Sequence, residues 1–371
     1  MQSAISLARE AEQRKVEIEQ LRNIPEDLIE RVKKAGLVQM WRAKTKSHSP
    51  STVKTATKTL QSMAYYNGSL AWVISVTNCS SLITGFISDE MTKRIYDSPM
   101  SMVGGFAGPA GVAAITEDGL IVKGNWSWGS GTTHCTTIVG GVRLMKKEEM
   151  IGTGIVFFSP DEIKFEDNWH VIGLKGTHSI DYSAESLLIP NNRWIYFPVS
   201  KPLIDEPLYR FSFLGALSLS VAAVGLGLAQ RAVDEIVQIA QSKRPFGQGK
   251  PLAQRPIAQE KIGQIRGNFL AAQSLFYQTI RDAEEEVQTQ ACSTNTKATI
   301  RLAACHTITL AVQVVRDAYE LAGGSAIWQT GKLEELHRDI HVVSQHGMVS
   351  NGNYRTAGAV FLGNQVPVFV L

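Results

Sequence analysis

Between residues 211 and 229 the chain reads FSFLGALSLSVAAVGLGLA, a stretch without one charged side chain. Its length is about that of a bilayer-spanning helix. Three serines and three glycines interrupt it, and it continues without a break into QRAVDEIVQIAQSKR, whose polar residues gather on one helical face. A membrane, or the middle of a bundle or subunit interface where neighbours cover every side, would suit such a segment. The polar continuation favours the buried helix, so the chain must supply the covering partners. It does: 209–243, 255–290 and 296–322 read as three long helices and 331–350 as a fourth, all with wide apolar faces.

The other segments have different textures. In IPEDLIERVKKAGL (24–37) a proline at the first turn, early acids and a terminal glycine frame a helix, and a second helical pattern runs through SPSTVKTATKTLQSMAYYNGSLAWVISVTNCSSLITGF. From about 98 to 200, short β-type runs such as VAAITE, LIVKGNW, CTTIVGGVRL and GTGIVFF alternate with Gly, Pro, Asp and Asn. Helix, sheet, helix is the order. The spans this predicts are an N-terminal α-helical domain (1–97), a middle antiparallel, β-barrel-like domain (98–205) and a C-terminal four-helix bundle (206–371), an α+β fold.

Bulk properties exclude some functions. With 371 residues, a formal charge of +3, 19% charged residues and no long basic run, the chain lacks the electrostatic footprint of a nucleic-acid binder. Cys79, Cys135, Cys292 and Cys305 lie far apart without CxxC spacing, so neither a zinc cage nor a disulfide framework is expected, and reduced thiols in a cytoplasmic protein are. The N-terminus shows no apolar signal core.

Chemistry could sit in three places. GGFAGPAGVAA (104–114) is glycine-rich but has neither phosphate-loop spacing, so a flexible β connection is its simplest reading. GNWSWGSG (124–131) packs Trp126 and Trp128 with Ser127 and Ser130 among glycines, which suits either a flat aromatic ligand or a tight hairpin. The third place is RDIHVVSQHGMVS (338–350). At its start, His341 shares a helix face with the preceding His337 and Glu334, but no further ligand pattern accompanies them and no metal is expected. His346 borders the apolar stripe of Leu336, Ile340 and Val343, as a satisfied core residue or as a titrating group facing a pocket.

Taken in order, NGSLAWVISV (67–76), GPAG (108–111), WSWGSG (126–131), GLKGTHSIDYSAESLLIP (173–190), LAQRAVDEIVQIAQSKRPFG (228–247), YELAGGSAI (319–327) and RDIHVVSQH (338–346) resemble the acyl-CoA dehydrogenase fold. Within it they are most similar to the two-component flavin-dependent monooxygenases of the 4-hydroxyphenylacetate hydroxylase oxygenase type. The resemblance implies a homotetramer with flavin between the β-domain and the bundle. It implies a monooxygenase that takes reduced FMN or FAD from a separate flavin reductase, reacts it with O2 to a C4a-hydroperoxide, and oxygenates a small aromatic or polycyclic substrate. The alternatives are an acyl-CoA dehydrogenase-like oxidoreductase acting on a CH–CH bond and a non-catalytic flavoprotein-fold scaffold.

Residue by residue, the resemblance places Ser130, or the Gly129 or Gly131 backbone, at flavin N5/O4 and Trp126 or Trp128 along the ring. It puts Lys243, Arg244, Phe246 and Gly247 at the flavin phosphate. His346 becomes catalytic, activating substrate or orienting the oxygenating group, a task for which a pKa near neutrality is suited. The common dehydrogenases keep their catalytic glutamate where this chain has Gly347, and no Asp or Glu lies between Glu206 and Asp234 to replace it. Two departures remain. Ser80 stands where phenol hydroxylases often have a histidine, with His134 and His178 as possible substitutes. Glu320 stands where FAD-binding relatives have a glutamine, which favours FMN or loosely held reduced flavin.

Overall fold

The computed structural model describes residues 1–46, 48–199, 201–247 and 249–367; Ser47, Ser200, Gln248 and 368–371, within the spans read above, lie outside the described residues. Six helices come first: α1 (Gln2–Gln13), α2 (Lys15–Leu21), α3 (Glu26–Lys34), α4 (Val53–Ala64), α5 (Gly68–Ser81) and α6 (Asp89–Ile95). Seven strands follow: β1 (Val103–Ile115), β2 (Gly119–Gly129), β3 (Thr137–Lys146), β4 (Glu149–Phe158), β5 (Lys164–Glu166), β6 (Ile180–Pro190) and β7 (Trp194–Tyr196). The chain then returns to helix with α7 (Pro207–Arg210), α8 (Phe213–Ser242), α9 (Pro256–Glu286), α10 (Thr294–Ala322), α11 (Lys332–Val343) and α12 (Gly352–Phe361).

The charge-free segment is the N-terminal half of α8. Ser212 caps it, its hydroxyl accepting the Gly215 N–H at 2.9 Å. The helix touches α4, α5, α9, α10 and α11, so neighbours cover it on all sides as its composition demands. In its most apolar 18-residue window 78% of the residues are buried within the protein. Gly227 lets α4 approach closely, since a Cβ there would stand 2.3 Å from the Gln61 carbonyl oxygen. The long apolar segment that the sequence predicts around residues 49–86 breaks between α4 and α5. Asn67 makes the break by accepting the Leu70 N–H at 2.8 Å.

Two sequence expectations need correction. The strands lie in the order β5-β6-β2-β1-β3-β4-β7, and β1 pairs β3 in parallel, Val103 opposite Thr137, so the sheet is mixed rather than antiparallel. The reason is the connection 130–136, which crosses over the start of β1 instead of folding back as a hairpin: Thr136 N–H bonds the Met102 carbonyl at 2.8 Å. The second correction concerns the last long helical pattern, which stops at Val343 rather than 350. Beyond it the His346 backbone is extended (φ −67°, ψ 132°) and its side chain caps a 3₁₀ turn, Gly347–Val349.

Candidate active site

The bulged end of β2 builds the first wall. Trp126 pairs with Tyr182 and Gly129 with Ile180, so Ser127 and Trp128 together face the single residue Asp181. Asp181 fixes this bulge through one oxygen to the Ser127 hydroxyl (3.0 Å) and the other to the Trp128 N–H (3.2 Å). Trp128 is thereby held at φ +63° and its indole stands 66% exposed, with the Phe106 ring edge-on to it, centroids 6.1 Å apart. A second bulge, Ala107–Ala110, carries the GPAG loop out of β1 just after Phe106, so both glycine-rich motifs meet here.

Trp126 goes the other way. It is fully buried, donates to the Gly141 carbonyl at 2.8 Å and stacks on Tyr182. Its expected place along a flavin is therefore withdrawn, because no face of its ring is free. Trp128 alone offers a surface.

Behind the bulge lies a chain of hydroxyls. The Trp72 indole, from the buried helix α5, donates to the Ser130 hydroxyl at 3.0 Å. Ser130 and Ser179 oxygens are 2.6 Å apart, Ser179 and Thr177 oxygens 2.7 Å, and Thr177 reaches the Leu174 carbonyl at 2.9 Å. Leu174, itself in a left-handed conformation, gives its N–H to the buried Asp339 carboxyl at 2.6 Å. Gly131, at φ +65°, turns the chain against Val73 where no side chain fits, and its N–H is taken by the Thr177 carbonyl at 2.8 Å.

Trp72 also joins this chain to the third wall. Its ring meets that of His346 edge to face, centroids 5.5 Å apart, so the two residues expected to be catalytic, Ser130 and His346, flank one tryptophan. The His346 Nδ1 accepts the Met348 N–H at 3.2 Å, which places the proton of the neutral ring on Nε2. Burial, and then the positive charge of Arg301, push this imidazole down to about 4. The expectation of a pKa near neutrality is thus corrected: at physiological pH His346 is an uncharged N–H donor, and its only basic nitrogen is occupied.

Arg301 itself is only 4% exposed. Ser218, Asn353 and the Met348 carbonyl surround its guanidinium, and it forms no ion pair among the described residues. Burial lowers it to about 10, so it stays a cation. Its field adds to burial in keeping His346 neutral.

Other candidates are engaged elsewhere. His134 is held between Glu26 and Asn23, both at 2.8 Å, and His178 between Thr133 (3.3 Å) and Asp167 (3.8 Å). Ser80 reaches only its own helix, at the Val76 carbonyl. His337 stacks on Tyr319 with centroids 4.3 Å apart. Gly347 is exposed, and a Cβ there would meet nothing within 4 Å, so an acidic side chain is missing from this slot for reasons other than space.

Lys243, Arg244, Phe246 and Gly247 do not join the cluster. Lys243 bonds the Ala322 carbonyl, Arg244 that of Gly249 at 3.0 Å, and Phe246 lies fully open. Ser218, which touches Arg301 beside the His346 turn, and Lys243 are separated along α8 by about 38 Å at a rise of roughly 1.5 Å per residue. Within one chain these two ends of α8 do not meet.

The walls fit a flat aromatic group with a hydrogen-bonding edge: an exposed indole face on a fixed bulge stands beside a buried hydroxyl with capacity to spare. Residues 219–351 match the model of the acyl-CoA dehydrogenase C-terminal domain. The indole-3-acetate monooxygenase of Acinetobacter baumannii is 28% identical over 345 residues, covering 92% of this chain and 88% of that protein. The crystal structure of 3-HSA hydroxylase from Rhodococcus sp. RHA1 superposes with a TM-score of 0.93 at 19% identity, covering 100% and 98% of the two chains. This chain has the acyl-CoA dehydrogenase fold and is similar to oxygenase components of two-component flavin-dependent monooxygenases. XiaF from Streptomyces sp., solved with FADH2 and glycerol, shares the fold with a TM-score of 0.92 at 19% identity over 98% of this chain and 96% of that one.

Of the residues expected from sequence, Ser130, Trp128 and His346 lie on these adjoining walls, and Trp72, Thr177, Ser179, Asp181 and Arg301, which the sequence reading did not single out, lie with them. Trp72, Thr177, Ser179 and Asp181 lie inside motifs already singled out, in AWVISV and THSID. Arg301 carried no signal, since an arginine in a helical pattern reads as a solvated face.

Proposed function

We propose that this chain is the oxygenase component of a two-component flavin-dependent monooxygenase: it takes reduced FMN or FAD from a separate reductase and places one atom of O2 on a small aromatic substrate, the other leaving as water. The observation that carries this reading is the joining of Ser130, Trp72 and His346 into one wall without a carboxylate. A dehydrogenase needs a base beside its substrate to remove the α-proton. Here the buried acid Asp339 is turned to the Leu174 N–H.

When bound and reduced, flavin supplies the two electrons that activate O2. The protein's part is binding and hydrogen bonding. Trp128 would hold the ring face and the Ser130 hydroxyl would hydrogen-bond its N5 edge, while Trp72 fixes Ser130. His346, as a neutral donor, would offer its Nε2–H to the substrate or to the oxygen it receives. Lys243, Arg244, Phe246 and Gly247 would bind flavin phosphate in a neighbouring copy, which requires at least a dimer and accords with the homotetramer that the resemblance implies. The three spans 1–97, 98–205 and 206–371 act as domains that place this site at their junction.

Indole-3-acetate is the first substrate to try. Supplied with reduced flavin and air, the protein should yield hydroxylated product with little hydrogen peroxide. His346→Ala should keep flavin binding while product falls by about tenfold to a hundredfold and peroxide rises in its place, as loss of one positioned donor does. An unchanged product yield would remove His346 from catalysis. Reduction of the oxidised flavin form by a saturated acyl-CoA would overturn the whole reading.

A further inference from the structure

The hydroxyl chain behind the site can run in either direction. In the first, Thr177 donates to the Leu174 carbonyl (2.9 Å), Ser179 to Thr177 (2.7 Å) and Ser130 to Ser179 (2.6 Å). Ser130 has then spent its own proton, has accepted the Trp72 N–H, and keeps one lone pair. In that state it can only accept from a ligand. In the second direction Thr177 donates to Ser179 and Ser179 to Ser130, and the Ser130 proton is released to point at the ligand. The Leu174 carbonyl loses little in the change, because the Thr177 N–H also bonds it at 3.0 Å.

All three hydroxyl residues are buried, at 8% exposure or less, so water does not compete for these bonds. Turning three O–H bonds exchanges the two states. No heavy atom moves and no proton enters or leaves.

We infer that Thr177 and Ser179 are positioning residues whose hydroxyls set whether Ser130 donates or accepts at flavin N5, so that one serine serves both redox forms of the cofactor. This rests on the reading that Ser130 faces N5. Reduced flavin carries a hydrogen at N5 and requires an acceptor, whereas oxidised flavin presents a bare nitrogen and requires a donor. A protein that must hold reduced flavin and then release the oxidised form gains from a first direction that is the resting one. The Leu174 carbonyl, as a fixed acceptor at the end of the chain, favours that direction.

The substitutions that test this have a definite sign. Thr177→Val keeps the branched shape and removes the terminal acceptor for the Ser179 proton, so Ser179 must donate to Ser130 and the chain is locked outward. Ser179→Ala leaves Ser130 without an inward acceptor, with the same result. Thr177→Ser restores the chain. The measurement is equilibrium binding of oxidised and of anaerobically reduced FMN and FAD to the purified full chain, together with the midpoint potential of the bound flavin.

Expected is a fall of about threefold to tenfold in the preference for reduced over oxidised flavin in Thr177→Val and Ser179→Ala, the value of one inverted hydrogen bond, with Thr177→Ser near the parent. A tenfold fall corresponds to a potential lowered by about 30 mV for a two-electron couple. A merely structural role would weaken both forms together and leave the ratio unmoved; a ratio unchanged in both variants that still bind flavin overturns the inference. Failure of the parent protein to bind either form would instead overturn the flavin reading on which it stands.

Discussion

Asp339 shows how a single residue couples the site to stability. It is buried beside Glu335, and the lysines Lys332 and Lys15 contact Glu335 at 3.0 and 3.1 Å, so Glu335 keeps the charge. Burial first, and then the charge of Glu335, push the Asp339 carboxyl up to about 7. A folded pKa above the unfolded value of 3.8 contributes stability that is fully present below 3.8 and is lost as pH rises through 7. Asp339→Asn keeps an oxygen for the Leu174 N–H and cannot ionise. Denaturant midpoints should show the variant gaining on the parent between pH 4 and pH 8, by about 1–3 kcal/mol at the upper end. A difference independent of pH would contradict the assignment. At this scale the sequence was partly legible. His346 and Ser130 stood out because each sits in a short motif with unusual neighbours. That His346 is neutral was not legible, because burial and a charge supplied by Arg301, 45 positions earlier, decide it.

At the scale of elements, the order helix, sheet, helix could be read from periodicity alone, and so could the burial of α8. What could not be read were the departures from regularity that make the site. Which of two tryptophans in WSWG faces outward depends on a bulge held by Asp181 on another strand. The parallel pairing of β1 with β3 depends on a connection that a local pattern reads as a turn. The early end of α11 depends on the His346 cap. Helix α8 makes the converse point, since its small residues are specified by contact. Gly227→Val should clash with the α4 backbone at Gln61 and cost about 1–3 kcal/mol or more in thermal or denaturant unfolding. A variant as stable as the parent would show that α4 and α8 separate freely.

For the whole molecule, the separation between the Ser130 end and the Lys243–Gly247 end of α8 has a consequence for assembly. If one copy supplies the ring contacts and another the phosphate contacts, two different defects should compensate. His346→Ala and Arg244→Glu proteins, each of low activity alone, should regain about a quarter to a half of parental activity when coexpressed as mixed oligomers, as subunit statistics allow. Coexpression that restores nothing would confine the site to one chain. The central claim, that this fold has been turned from removing hydrogen to inserting oxygen, is tested most directly with labelled dioxygen. Given reduced flavin, an aromatic substrate and ¹⁸O₂, the account expects one labelled oxygen atom in each product molecule. Product carrying oxygen only from water, or no oxygenated product with all reducing equivalents recovered as hydrogen peroxide, would contradict it.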